Sequence, residues 1–278
     1  MNKLQAFGLI AAQVTRGELV FPTSVNAALA LQMALADPDC PMEDAVRLTL
    51  ADPLLAARTV ALANSVVFSS RGGPVTNTRA AIMRLGFRNL HALVASMVVR
   101  NFGSKIVDPT LRSKALRLWE HTAHVAALAH VIARRVTRID ADTAMFAGIV
   151  HEVGGFYLLS RADEFPGLLE HDPQNWTLAA EEVIRHAVME KLMIPASVAE
   201  AIEGLREGLL AIPPDSLLDT LLLAKQLAPV PSPLDVNPLE MLLPHESVID
   251  FVIDDASLQS ILAESSDEVR SMSAALLV

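Results

Sequence analysis

The chain has 278 residues, enough for one large domain or two of ordinary size, and 52% of them are hydrophobic, which excludes global disorder. Aromatics are only 4%, and Ala and Leu dominate the apolar set, a balance that favours helices over sheets. A net charge of −10 argues against a broad grip on nucleic acid, and the single cysteine, Cys40, rules out both an internal disulfide and a Cys-based zinc site.

Residues 2–16 read as a first helix, with an apolar run (Phe7 to Ala12) too short for a secretion signal. No uncharged apolar stretch approaches the roughly 20 residues of a membrane helix, so a soluble, cytoplasmic protein is expected. "PTSVNAALALQMALAD" reads as a second helix with Pro22 at its start, and "MEDAVRLTL" as a third with acids in its first turn. "PLLAARTVALANSVVF" carries one apolar stripe, and "SSRGGP" is a loop. Thr76 or Asn77 then caps the first of two helices divided near Gly86.

A second block begins at Asp108–Pro109. Its long helix ends in Arg134 and Arg135, and the next helix, "ADTAMFAGIVHEVGGFYLLS", takes Asp140 or Asp142 as N-cap. Three more helices follow to about residue 226. The five prolines of "APVPSPLDVNPLEMLLP" predict a linker or strap, and an acidic helical element ends the chain, expected at the periphery. The boundaries are therefore 1–16, 17–108, 109–226 and 227–278. Met33, Met83, Met97, Met145 and Met189 are expected as core filler.

Two stretches, "LANSVVFSSRGGPVTNTRAAIMRLGFRNLHAL" and "LWEHTAHVAALAHVIARR…AMFAGIVHEVGGFYLL", together resemble the HDOD domain, the HD-related output domain of bacterial signalling proteins. The resemblance spans about residues 17–226. It implies an all-α globule in which an N-terminal helical bundle packs on a degenerate HD-phosphohydrolase-like bundle, with a regulatory role. In HD phosphohydrolases a histidine, a His-Asp pair on the next helix and a distant aspartate hold divalent metal that activates water. Carried over by that resemblance, the first histidine is His121 and the pair is His151–Glu152, a vestige with glutamate for aspartate. The lysine that follows the pair in active relatives is replaced by Gly155. His186 keeps its place, a further His-His falls at Gly204 and Leu205, and the last aspartate falls at Lys225, a cation that would oppose a metal.

Weighed as residues, His151–Glu152 reads as a buried polar couple holding two helices in register, with Glu152 hydrogen-bonded or paired to an arginine. His121, His124 and His130 read as packed imidazoles, and Gly154–Gly155 as a close helix–helix contact. Asn64 and Ser65 cap a helix end or bridge the two halves through backbone hydrogen bonds. Arg71, at the loop tip, is a candidate for partner contact. Nucleophilic-serine, phosphate-loop and dinucleotide signatures do not occur. The expectation is a non-catalytic signalling module that needs no cofactor and works by contact with unidentified signalling proteins. Two alternatives stand beside it: a degenerate phosphohydrolase of nucleotides or cyclic dinucleotides using His121, His151 and Glu152, and a nucleotide sensor without hydrolysis.

Overall fold

Aspartates and prolines decide where several helices start. Asp52 accepts hydrogen bonds from the amides of Leu54 and Leu55 with Pro53 as the next residue, and Asp108 does the same for Thr110 and Leu111 ahead of Pro109. Asn77 accepts from Ala80 and Asp140 from Thr143, which settles both predicted cap alternatives. The computed structural model describes residues 3–19, 26–35, 37, 39–69, 72–165, 167–169, 178–206, 210–211, 213–234, 260–261 and 263–277. Pro22 lies outside them.

The described elements are helices throughout: α1 (Lys3–Thr15), α2 (Asn26–Leu35), α3 (Met42–Leu50), α4 (Pro53–Ala63), α5 (Val66–Ser69), α6 (Thr78–Phe102), α7 (Pro109–Ile132), α8 (Ala141–Val150), α9 (Val153–Arg161), α10 (Leu178–Lys191), α11 (Ala196–Gly204), α12 (Leu217–Leu227) and α13 (Ser266–Leu277). Among the described residues there is no strand. The all-α class expected from composition is the observed one.

From Ala123 to Ala133 nearly every residue of α7 and its end is buried, so this stretch is apolar on all sides and runs through the core. α8 lies along it, α6 and α12 flank the pair, and α1 packs on α10. The divide at Gly86 is real: its φ of +73° lies where a side chain would strain the backbone, and the two halves of α6 meet there at a kink. By length and composition Thr78–Lys105 could cross a bilayer, yet 67% of its apolar window is buried in the protein, as suits a core helix.

Four expectations need correction. The stretch 53–68 is two helices, because α4 stops at Asn64 and α5 restarts at Val66. The helix expected across 141–160 is likewise two, interrupted at His151–Glu152. Met33 and Met83 are exposed, at 64% and 69%, while Met97, Met145 and Met189 are core residues as predicted. The C-terminal helix is not peripheral, since α13 packs on α4, α5 and α7 and buries Met272 and Leu276 completely. Arg134 and Arg135 serve that docking: a π-helical turn, Ala133–Thr137, continues α7, and both arginines pair with Glu268 of α13.

The tightest helix–helix approach is at Gly148, where an added Cβ would stand 2.6 Å from Ala126 Cα on α7. Backbone cannot yield as a side-chain tip can. Gly148→Ala is expected to lose about 1–3 kcal/mol in urea denaturation through overpacking, although alanine's helix propensity alone would favour it by about 1 kcal/mol. Burial also pushes the pKa of His91, His124 and His130 below the ordinary 6.5. These imidazoles fold neutral, so the unfolded chain binds more protons as pH falls past 6.5, and stability present above that pH is lost below it. His91 stacks on Phe146 at 5.0 Å. His91→Phe should flatten the decline in melting temperature between about pH 7 and 5.

Candidate functional site

The interruption between α8 and α9 turns His151 inward and Glu152 toward α12. His151 is buried, and its Nδ1 donates to the carbonyl of Gly148 at 2.7 Å. His121, on α7, is equally buried and donates from Nδ1 to the carbonyl of Val230 at 2.7 Å. A carbonyl only accepts, so each Nδ1 carries a proton, and Nε2 is the ring atom left to face the other histidine. Those two Nε2 atoms face each other at 3.4 Å, and Glu152 Oε1 lies 3.8 Å from His151 Nε2. The three donor atoms fall within 4.8 Å of one another.

Held carbonyl-first, two imidazoles and a carboxylate have the outer hydrogen bonds that metal ligands commonly have. The surroundings differ. Lys225 of α12 brings its ammonium to 3.5 Å from Glu152 Oε1, so a fixed cation already meets the carboxylate. Lys225 is well placed to do so because α12 has a firm start, with Ser216 and Asp219 forming a reciprocal capping box. Burial works against the Asp219 carboxylate, but hydrogen bonds from Ser216 and from the amides of Ala211 and Asp215 outweigh it and hold its pKa down. Among the described residues no further His, Cys, Asp or Glu joins the three. His186 is exposed on α10 and pairs with Glu203, while Gly204 serves the packing of α11 on Leu218. Among the described residues the donor set is three side chains, fewer than a two-metal hydrolytic centre uses.

Residues 228–234, the described part of the proline-rich segment, form a strap over the site. Val230 supplies the carbonyl for His121, and the Leu234 side chain occupies the space a Cβ on Gly155 would need. Gly155 therefore admits the strap rather than a helix, whereas Gly154 does face a helix, with Arg185 Cβ at 3.1 Å from its would-be Cβ. Glu152 has the partner that its burial demands: it accepts a hydrogen bond, one of the two expected arrangements, and the charge that donates it is a lysine rather than an arginine.

Asn64 and Ser65 lie elsewhere. Asn64 ends α4 and clamps the following loop, donating from Nδ2 to the Val75 carbonyl at 2.8 Å and accepting the Val75 amide at 2.9 Å. It caps and ties one loop and does not bridge the halves. Ser65 is buried, and its neighbour Val66 donates its amide to Ser271 of α13 at 3.1 Å. Arg71 lies outside the described residues. A cavity that no sequence motif announces lies between α5–α6 and α7–α8, and its wall includes Phe68, Arg84, Asn89, His130 and Asp142. Only the unpaired buried polar atoms there mark it, and those depend on tertiary placement.

A model of the HDOD domain matches residues 21–200, well over half of the chain. This chain belongs to the HDOD family. No functionally curated protein matches it. Its fold is that of a Shewanella amazonensis SB2B protein provisionally named a metal-dependent phosphohydrolase, at TM-score 0.72 and 18% identity over 99% of both chains. It is also that of an HDOD domain protein of unknown function from Geobacter sulfurreducens, at TM-score 0.59 and 20% identity over 99% of this chain and 97% of that one. A Marinobacter aquaeolei VT8 protein provisionally named for signal transduction matches at TM-score 0.59 and 20% identity, over 94% of this HDOD chain and 61% of that one. At these identities the likeness is one of fold.

In this HDOD chain the clamp is open to test. Asn64→Ala removes the two hydrogen bonds to Val75 and a longer one from Arg84, all solvent-facing, so the expected loss is about 1 kcal/mol. Amide exchange at Val75 should accelerate while exchange across α7 stays unchanged.

Proposed function

We propose that this protein is a non-catalytic regulatory module of signal transduction that works by contact with other proteins. One observation carries the reading: the ammonium of Lys225 stands 3.5 Å from the Glu152 carboxylate. A divalent ion beside a fixed ammonium meets like-charge repulsion, and the carboxylate that would offset it is already engaged. The strap adds to this, because Val230 and Leu234 lie over the histidine pair and Gly155, where a phosphate ester would have to approach. Membership of the HDOD family and the signal-transduction name of one structural relative agree with a regulatory role.

A second reading has its own support. The two Nε2 atoms and a Glu152 carboxylate oxygen converge within 4.8 Å of one another, and one structural relative bears a provisional phosphohydrolase name. It would make the chain a degenerate metal-dependent phosphohydrolase acting on a nucleotide or cyclic dinucleotide through His121, His151 and Glu152.

Metal content distinguishes the two. Protein exchanged into Mn²⁺ or Zn²⁺ and then desalted is expected to retain less than a stoichiometric amount and to leave a generic phosphodiester intact. Lys225→Asp, which exchanges the opposing cation for a donor, is expected to gain bound ion. One ion per wild-type chain, abolished by His151→Ala and accompanied by phosphodiester cleavage, would favour the second reading.

A further inference from the structure

The cavity between α5–α6 and α7–α8 is separate from the histidine couple. His130, in its wall, lies nine residues beyond His121 on α7, about 13.5 Å along the axis. Its volume is about 640 Å³, within the roughly 300–1,000 Å³ of small-molecule sites.

Its chemistry is divided. On one side Arg84 is fixed by neutral acceptors alone: the carbonyls of Ala63 at 3.2 Å and Gly73 at 2.6 Å, and Asn64 Oδ1 at 3.5 Å. Among the described residues no carboxylate comes within ion-pair distance of it, so its charge has no close counterion. Asp140, also in the wall, is engaged instead by Arg88 at 3.0 Å and by the Thr143 amide it caps. On the other side His130 and Asn89 are buried, 4% and 3% exposed, and both line the cavity. His130 Nδ1 and Asn89 Oδ1 have no partner among the described residues, while Asn89 Nδ2 is spent on the Leu85 carbonyl. Burial keeps the His130 ring neutral, and the Asp142 carboxylate stands 3.9 Å from its Nε2. With the ring proton drawn to that edge, Nδ1 is an acceptor. This side therefore asks for hydrogen-bond donors. Phe68, Leu85 and the exposed Met83 add apolar surface to the same wall.

A ligand that satisfies all three surfaces carries an anionic group, a flat apolar body and an edge of N–H donors. We propose that this cavity binds a purine nucleoside monophosphate, with the phosphate at Arg84, the base against Phe68 and its donor edge toward Asp142, Asn89 and His130. Under the regulatory reading, on which this meaning rests, the nucleotide is the input signal; the binding itself does not depend on it. Arg84 also organises the loop after α5, so it is a poor first target. Asp142, in the first turn of α8, and Met83, on the surface, can be changed without disturbing the core.

The test is thermal shift and calorimetry on the full chain with GMP, AMP, guanosine and inorganic phosphate. A purine monophosphate is expected to raise the melting temperature and bind one per chain. Asp142→Asn and Met83→Glu should each weaken it by about tenfold, through a lost charged acceptor and through repulsion of the phosphate, and His151→Ala should leave it unchanged. The assignment is overturned if neither mononucleotide binds, if inorganic phosphate binds as tightly, or if binding survives both cavity variants at full strength. Loss in His151→Ala alone would also overturn it by moving the ligand to the histidine pair. Turnover of the bound nucleotide, read by chromatography, would sink the regulatory reading and leave the binding assignment standing.

Discussion

Because Gly148 lacks a side chain, α8 rests on the backbone of α7 at Ala126, and the geometry of the histidine pair follows from that approach. One turn beyond Gly148 the helix ends, and His151 turns back to use the carbonyl of the same glycine. His121, from the other helix, meets it nitrogen to nitrogen. A larger residue at 148 would hold the helices apart and separate the imidazoles. Packing and polar chemistry at this place are one constraint: the close contact leaves two rings little freedom, and each is oriented by a main-chain acceptor.

Around that contact the protein disposes of charge by pairing it across elements distant in sequence. Lys225 answers Glu152, and Glu268 answers Arg134 and Arg135. The exposed pairs contribute little individually. The half-buried Lys225–Glu152 pair differs, because removing either member would strand the other in poorly solvated surroundings. Arg84 breaks the pattern, since carbonyl dipoles rather than a carboxylate hold it beside the cavity.

Much of this was legible in the residues. Ala-Leu composition and an aspartate cap before α8 point to helices, Asp108–Pro109 marks the start of a block, and the all-α class and the starts of α7 and α8 agree with them. The motif stretches place the family, and the resemblance sets Lys225 at the last metal-ligand position before any coordinates, whereas its pairing with Glu152 is visible only in the fold. What escaped depends on three-dimensional neighbours. Periodicity across 141–160 is continuous, so nothing local announces the stop at His151. Met33 and Met83 have core-like spacing, but their neighbours leave that side of the helix uncovered. Gly148 looks like any helical glycine until α7 is laid against it, while the conspicuous Gly154–Gly155 pair divides its contacts between a helix and the strap. The cavity had no motif at all, because its wall is assembled from α5, α6, α7 and α8.

The docking of α13 bears on how the chain is made. The Val66 amide finds its acceptor in Ser271, 205 residues later. At a synthesis rate of about 5–20 residues per second, the surface of α4 and α5 waits on the order of ten to forty seconds for the helix that covers it. During that interval a nascent chain carries an apolar seam with no lid.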